Sequence, residues 1–266
     1  MNPVAALILA GSRPGGPDPV AVAEGVSHKA LARIGDRPLL ARVGAALRDA
    51  GIARIAVAAS DPQVVDLGTS LGMEVLPPAA GPSASVALAF AELGAPLLVT
   101  TADHGLLEAG WVTDFLADIP AGTDVAVLLA QRPLVEEAMP GSRRTWLRFA
   151  DGDWSGCNLF HLATPQTARG IALWERVEAD RKRPWRLAAR LGPAMLASYA
   201  LGRLGLADAV TRLGRRHGLA AAVVAARDGL AAVDVDKPAD LADARRIVAA
   251  RGDDRAGVVQ GNKLLL

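Results

Sequence analysis

The sequence predicts an α/β fold built on a mainly parallel sheet, and three observations carry that prediction. Short β-type runs alternate with helical segments through the first half of the chain. Two of those helical segments close on a glycine, Gly51 and Gly72, as helix C-termini commonly do. The first run, residues 4–10, is apolar throughout rather than alternating, which suits a strand covered on both faces. Repeated strand–helix units imply parallel strands joined by right-handed crossovers.

Taken in order, residues 4–10 form the first strand, and a Gly/Pro-rich loop follows from Gly11 to about His28. Residues 38–50 carry helical spacing, 54–58 read as a strand, 62–71 as a helix and 73–76 as a short strand. A helix over 83–93, with Ser83 near its N-cap, leads to a strand over 96–100. The second half is less regular. Residues 124–130 read as a strand, and 146–149 pairs with 157–162 around the turn Asp151-Gly152-Asp153. Residues 165–180 are helical, and 184–217 form one or two helices broken near Gly202 and Gly205. Strands over 219–225 and 230–235 precede a closing helix over 238–250. Residues 251–266 show no period and read as a flexible tail.

The chain has 266 residues, enough for a single α/β domain over 1–250 with a helical insertion at about 181–217. Apolar residues make up 51% of it, so a sizeable core can be buried. The formal net charge is +1, which gives no global field to recruit nucleic acid or membrane. One cysteine, Cys157, rules out an intrachain disulfide framework, and four scattered histidines give no zinc spacing. A reducing cytosol fits. The run 4–10 is too short to span a membrane and has no basic residues ahead of it, so it is not read as a signal peptide.

Five stretches carry chemistry. The first is Leu9-Ala10-Gly11-Ser12-Arg13-Pro14-Gly15-Gly16 with Ser27-His28-Lys29-Ala30-Leu31 and Gly35-Asp36-Arg37-Pro38-Leu39-Leu40. A glycine at the C-terminal end of a strand lets backbone approach a phosphate, and ligands of open α/β sheets bind at that end. Lys29 would lie across a triphosphate and offset charge on a leaving pyrophosphate. Read alone, the stretch is equally an ordinary surface loop with a solvated lysine. The second is Gly81-Pro82-Ser83-Ala84-Ser85, a helix start that concentrates N–H groups and hydroxyls. Simple helix capping explains it as well. The third is the apolar strand over 96–100 delivering Asp103, then His104 and Gly105. Magnesium takes hard oxygen ligands, often one or two carboxylates plus phosphate oxygens, and Asp103 fits. The fourth is Val233-Asp234-Val235-Asp236-Lys237-Pro238-Ala239-Asp240. Strand alternation would send Asp234 and Asp236 to one side, with Asp240 supplying first-turn charge to the helix that follows. The fifth is Ser155-Gly156-Cys157-Asn158, where Cys157 reads as a small buried residue.

The order "L-A-G, loop, K-A-L, G-D-R-P-L-L" resembles the N-terminal signature of the MobA-like NTP transferases, relatives of the molybdenum-cofactor guanylyltransferase and of sugar- and alcohol-phosphate cytidylyltransferases. The resemblance runs from Val4 to about Ala250. It implies a Rossmann-like, three-layer nucleotidyltransferase fold of GT-A type, with a mixed, mainly parallel sheet. It implies that Ala10, Gly11, Ser12, Arg13 and Lys29 hold the triphosphate, and that Gly81, Ser83 and Ser85 lie beside the base or ribose. Asp103 and Asp236, with Asp234 as the alternative, become the ligands of Mg2+. His104 and Asn158 become acceptor contacts. The sequence departs from the family pattern in a stretched glycine loop, in Asp103-His104-Gly105 where relatives carry a proline, and in Lys237 for a threonine. The implied activity is transfer of a nucleoside monophosphate from an NTP, CTP or GTP favoured, to a small phosphorylated acceptor in the cytoplasm. A nucleotide-sugar glycosyltransferase and a non-catalytic nucleotide-binding protein stay open. One segment lies outside these motifs. Arg181, Lys182, Arg183, Arg186, Arg190, Arg203, Arg212, Arg215 and Arg216 lie among apolar residues. They form a solvated basic face, a site for an anionic acceptor, or a weak peripheral contact with acidic lipid.

Overall fold

A computed structural model describes residues 3–12, 16–142, 144–179 and 192–252. Arg13, the basic cluster Arg181 to Arg190, and residues 253–266 of the expected tail lie outside them. The strands are β1 (Ala5–Leu9), β2 (Arg33–Ile34), β3 (Arg37–Pro38), β4 (Arg54–Ala58), β5 (Glu74–Leu76), β6 (Leu97–Thr101), β7 (Val125–Gln131), β8 (Leu147–Phe149), β9 (Gly152–Leu162) and β10 (Ala221–Ala225). All but β2 and β3, which pair with each other, form an eight-stranded sheet in the order β10-β7-β9-β6-β1-β4-β5, with β8 on β9. The β6, β1, β4 and β5 pairings are parallel, and β10 is parallel to β7. Strand β9 runs antiparallel to both β6 and β7, so the sheet is mixed but mainly parallel.

Helices α1 (Pro19–Glu24), α2 (Leu39–Asp49), α3 (Pro62–Ser70), α4 (Pro82–Leu93), α5 (Ala109–Asp118), α6 (Arg132–Ala138), α7 (Ala168–Ala179), α8 (Pro193–Ala200), α9 (Leu206–Arg216) and α10 (Pro238–Arg251) complete the described elements. Because side chains alternate across a strand, Ala6 and Ile8 of β1 face one layer while Ala5 and Leu7 face the other. The first pair packs with Leu40, Val43 and Leu47 of α2, Val64 of α3 and Phe115 of α5. The second packs with Val86 and Ala89 of α4 and Ile171 of α7. Each fully buried leucine or isoleucine here contributes roughly 1.5–3 kcal/mol.

The strands of the first half fall within a residue or two of the expected positions. Four expectations are corrected. The loop after β1 contains helix α1, which Asp18 caps by accepting from Val20 N at 2.9 Å, with Pro19 in the first turn. Helices α5 and α6 were not foreseen. Strand β9 is one 11-residue strand rather than a short partner of β8. Residues 230–235 are not a strand: Gly229–Ala232 form a 3-10 turn capped by Asp228, and an extended segment follows. The closing helix reaches Arg251 and ends on Gly252 in the left-handed region at φ 68°. In the insertion, Leu206 of α9 packs against Leu129 and Trp154, while Arg212 pairs with Asp208 at 3.0 Å. Among the described residues no helix is long and apolar enough to cross a membrane.

Candidate active site

The parallel strands β1 and β6 end side by side. Leu9 pairs in register with Thr101, and Ala102 N donates to Leu9 O at 2.9 Å. That junction puts the start of the glycine loop next to Asp103. Ala10 is buried and donates its N–H to Ala58 O at 3.0 Å, which holds the loop's root. Gly11 and Ser12 are exposed beyond it. A Cβ on Gly11 would find its nearest neighbour, Pro78 Cβ, at 3.9 Å. Among the described residues nothing crowds that position, and a glycine there leaves the backbone open to close approach by a ligand.

Lys29 is the hub. It opens a 3-10 turn, Lys29–Leu31, capped by His28, whose Nδ1 accepts from Ala30 N at 3.0 Å. The ammonium lies 2.5 Å from Asp103 Oδ2, 3.1 Å from Asp236 Oδ1 and 4.0 Å from Asp18 Oδ2. It also reaches Val235 O at 3.4 Å. Burial works against the Lys29 charge, but Asp103 and then Asp236 more than offset that, so its pKa is held above the ordinary lysine value. The 233–236 segment is pinned to the same place because Val235 N donates to Asp103 O at 3.0 Å. Asp103 is 8% exposed, and its Oδ1 is buried with no hydrogen-bond partner among the described residues. A buried carboxylate oxygen left in that state is an opening for a cation.

The two aspartates of the C-terminal motif part company. With no strand to align them, Asp236 faces Lys29 while Asp234 faces Arg144 and Asn158. Arg144 Nη1 lies 2.6 Å from Asp234 Oδ1, and Asn158 Nδ2 donates to Asp234 Oδ2 at 3.1 Å. Burial alone would raise the Asp234 pKa, but the adjacent guanidinium and these hydrogen bonds hold it below the usual carboxylate value. Asp240 caps α10, its carboxylate accepting from the N–H groups of Asp236 and Lys237 at 3.1 and 3.0 Å.

Three expected contacts are not open to a ligand. His104 is 1% exposed and stacks on Trp111 with ring centroids 6.3 Å apart. Desolvation drives its pKa down to about 4. Its ring is turned into the core, so it does not face an acceptor. Ser83 and Ser85 are likewise buried. The Ser85 hydroxyl donates to Gly81 O and accepts from Ala79 N, each at 2.9 Å. The Ser83 hydroxyl and backbone N–H both donate to Glu178 Oε2 of α7, at 2.5 and 3.2 Å. The serines shape the Gly81 turn rather than reach outward. Gly81 itself is tight against that carboxylate, since a Cβ would come within 2.6 Å of Glu178 Oε1.

A family model for the MobA-like NTP transferase domain matches residues 6–136. A hypothetical transferase from Thermus thermophilus is 30% identical, with a TM-score of 0.77 over 91% of this chain and 100% of that one. The chain belongs to the MobA-like NTP transferase family. It is accordingly a nucleotidyltransferase. Two more distant structures share the fold. A nucleotidyl transferase from Methanothermobacter is 17% identical at a TM-score of 0.58, covering 94% of this chain and 100% of that one. CMP:2-keto-3-deoxy-manno-octonic acid synthetase, complexed with CTP, is 18% identical at 0.56, with the same coverage. Among curated proteins, none matches the chain by sequence.

In this MobA-like transferase the matched residues hold Gly11, Lys29 and Asp103 but stop before Asn158, Asp234 and Asp236. Two further residues of the site escaped sequence reasoning. His28 is 4% exposed and also hydrogen-bonds the Gly11 backbone, so it ties the glycine loop to the Lys29 turn. The signal for it is its place directly before Lys29. Arg144 has no such signal, because it lies 90 residues from its partner Asp234 in a polar loop.

Proposed function

We propose that the enzyme transfers a nucleoside monophosphate from CTP or GTP to a small phosphorylated acceptor, with Mg2+ held by Asp103 and Asp236. The observation that carries this reading is the Lys29 ammonium within 3.1 Å of both carboxylates at the C-terminal ends of β1 and β6. Two carboxylates, one of them with an unpartnered buried oxygen, fit a magnesium ion that takes its remaining ligands from phosphate and water. Asp236 is favoured over Asp234 as the second ligand because both Asp234 oxygens are engaged by Arg144 and Asn158. Asp103 and Asp236 would hold such an ion, and it would supply Lewis-acid stabilisation of negative charge on phosphate.

The protein's own part is positioning and electrostatics. An acceptor phosphate oxygen attacks the α-phosphorus in line. A new P–O–P bond forms, the α–β bridging bond breaks, and pyrophosphate leaves with its electron pair. Lys29, permanently cationic between its aspartates, counters negative charge beside the Gly11-Ser12 backbone. No side-chain nucleophile is required. Residues 1–250 act as one catalytic domain in the cytoplasm.

Thermal melting with each of CTP, GTP, UTP and ATP, with and without magnesium, tests the reading. A ligand that binds only the folded state raises its melting temperature. One NTP is expected to give a magnesium-dependent rise, and pyrophosphate release is then screened across phosphorylated acceptors. No rise with any NTP, together with a rise from a sugar nucleotide, would overturn it.

A further inference from the structure

Beside the Lys29 cluster lies a second group that the N-terminal motifs do not touch. The pairing of β9 with β6 stops at Phe160 opposite Val99, and its register on β7 shifts between Val127 and Leu129. Asn158 falls in that interruption with φ at +48°, in the left-handed region that asparagine enters more readily than most side chains. Its amide is tethered to Asp234, which also grips Arg144 through Nη1. The Arg144 side chain is only 10% exposed. Its Nε is buried and has no hydrogen-bond partner among the described residues.

An irregular strand position and an unsatisfied donor therefore meet at one point. Asn158 turns out of the ladder, and a buried cation keeps a donor without a partner among the described residues. Both sit next to Asp103, since Val235, between Asp234 and Asp236, is bonded to the Asp103 carbonyl. Nε is thus a donor left over beside the Nη1 contact, and the Nε–Nη2 edge of a guanidinium is a planar two-donor fork matched to an oxyanion.

We propose that Arg144, oriented by Asp234 and Asn158, binds the non-attacking oxygens of the acceptor's phosphate and so selects a phosphorylated acceptor. This rests on the nucleotidyl-transfer reading and deepens it. Asp234 is then a positioning residue. Its carboxylate fixes the guanidinium, and its negative charge keeps the acceptor's affinity moderate enough for product to leave. A carboxylate on the acceptor would offer the same two-oxygen edge, so the test separates the two sources.

The test titrates inorganic phosphate, and in a second arm acetate, into the full chain by calorimetry, with and without saturating magnesium–NTP. The wild type is expected to bind phosphate in both conditions and acetate at least tenfold more weakly. Arg144→Lys keeps the charge against Asp234 and therefore the fold, but lacks the fork. It is expected to lose at least tenfold in phosphate affinity, with NTP affinity and melting temperature unchanged. Phosphate binding equal in Arg144→Lys and wild type would overturn the proposal. So would phosphate that is displaced by NTP, which would place it in the triphosphate cradle, or acetate bound as tightly as phosphate. Failure of every NTP to bind would instead sink the nucleotidyl-transfer reading, while the phosphate comparison would still report on Arg144.

Discussion

Asp103→Asn keeps the shape of the side chain and removes its charge. In the folded protein that charge sits 2.5 Å from the Lys29 ammonium, whose side chain is 14% exposed. Removing one member of a buried pair costs about 3–5 kcal/mol when the survivor is left alone. Lys29 is not left alone, because Asp236 stays at 3.1 Å and the new carboxamide still offers an acceptor. The loss should fall to about 1–2 kcal/mol, or about 2–8 °C in melting temperature for a chain of this size. Turnover should suffer far more. One preorganised electrostatic group at a transition state is worth roughly 10²–10³ in rate, and Asp103 serves both Lys29 and the proposed metal. The expected drop in kcat is at least about 10³, or roughly 4 kcal/mol of transition-state stabilisation. Pyrophosphate release, measured beside circular dichroism melting, separates the two effects. Turnover within tenfold of wild type would refute the assignment of Asp103. A collapse in melting temperature well beyond the stated range would refute the claim that Asp236 compensates.

Three other outcomes are expected. Burial holds the His28 pKa below its ordinary value of 6.5, so the neutral ring contributes stability that is full above that pH and declines as pH falls below it. His104 acts with the same sign. His28→Asn, which keeps an acceptor for Ala30 N, should melt with a shallower decline between pH 7 and pH 5, and an identical slope would remove His28 from the account. Gly229→Ala drives a Cβ to within 2.1 Å of the Leu134 carbonyl oxygen and 2.7 Å of Val135 Cα, neither of which can swing aside. It should destabilise by about 3 kcal/mol or more, read by urea unfolding, and a midpoint unchanged from wild type would show that α6 moves freely. Cys157 is 1% exposed, with its thiol pKa pushed up to about 12 by burial. A disulfide reagent at pH 8 should leave it untouched in the native chain and label it fully in denaturant, so rapid native labelling would contradict the packing around β9.

The first half of the fold was legible because its strands are buried on both faces and their helices end on glycine. The same logic misled at 230–235. Leu230, Ala231, Ala232, Val233 and Val235 are all buried, but under α6 and beside Asp103 rather than in a ladder. An apolar run reports burial, not pairing. Helix α1 was readable in principle, since Asp18-Pro19 followed by Gly25 spells a capped start and a left-handed stop. The surrounding glycines and prolines hid it. Within the site, Lys29 and Asp103 could be named because each lies at the end of a recognisable strand or motif. Asp236 was preferred to Asp234 on position alone, because the contacts that engage Asp234 come from Arg144 and Asn158, each at least 76 positions away.

The bond from Lys29 to Asp236 joins residues 207 positions apart, so the candidate site closes only once synthesis has reached the segment ahead of α10. Glycine loop, lysine and Asp103 exist as polypeptide while Asp236 is still untranslated. At about 5–20 residues per second, the 133 positions between the two aspartates take roughly 7–27 seconds to synthesise. Through that interval a nascent chain carries the glycine loop, Lys29 and Asp103 without the second carboxylate that the proposed site needs.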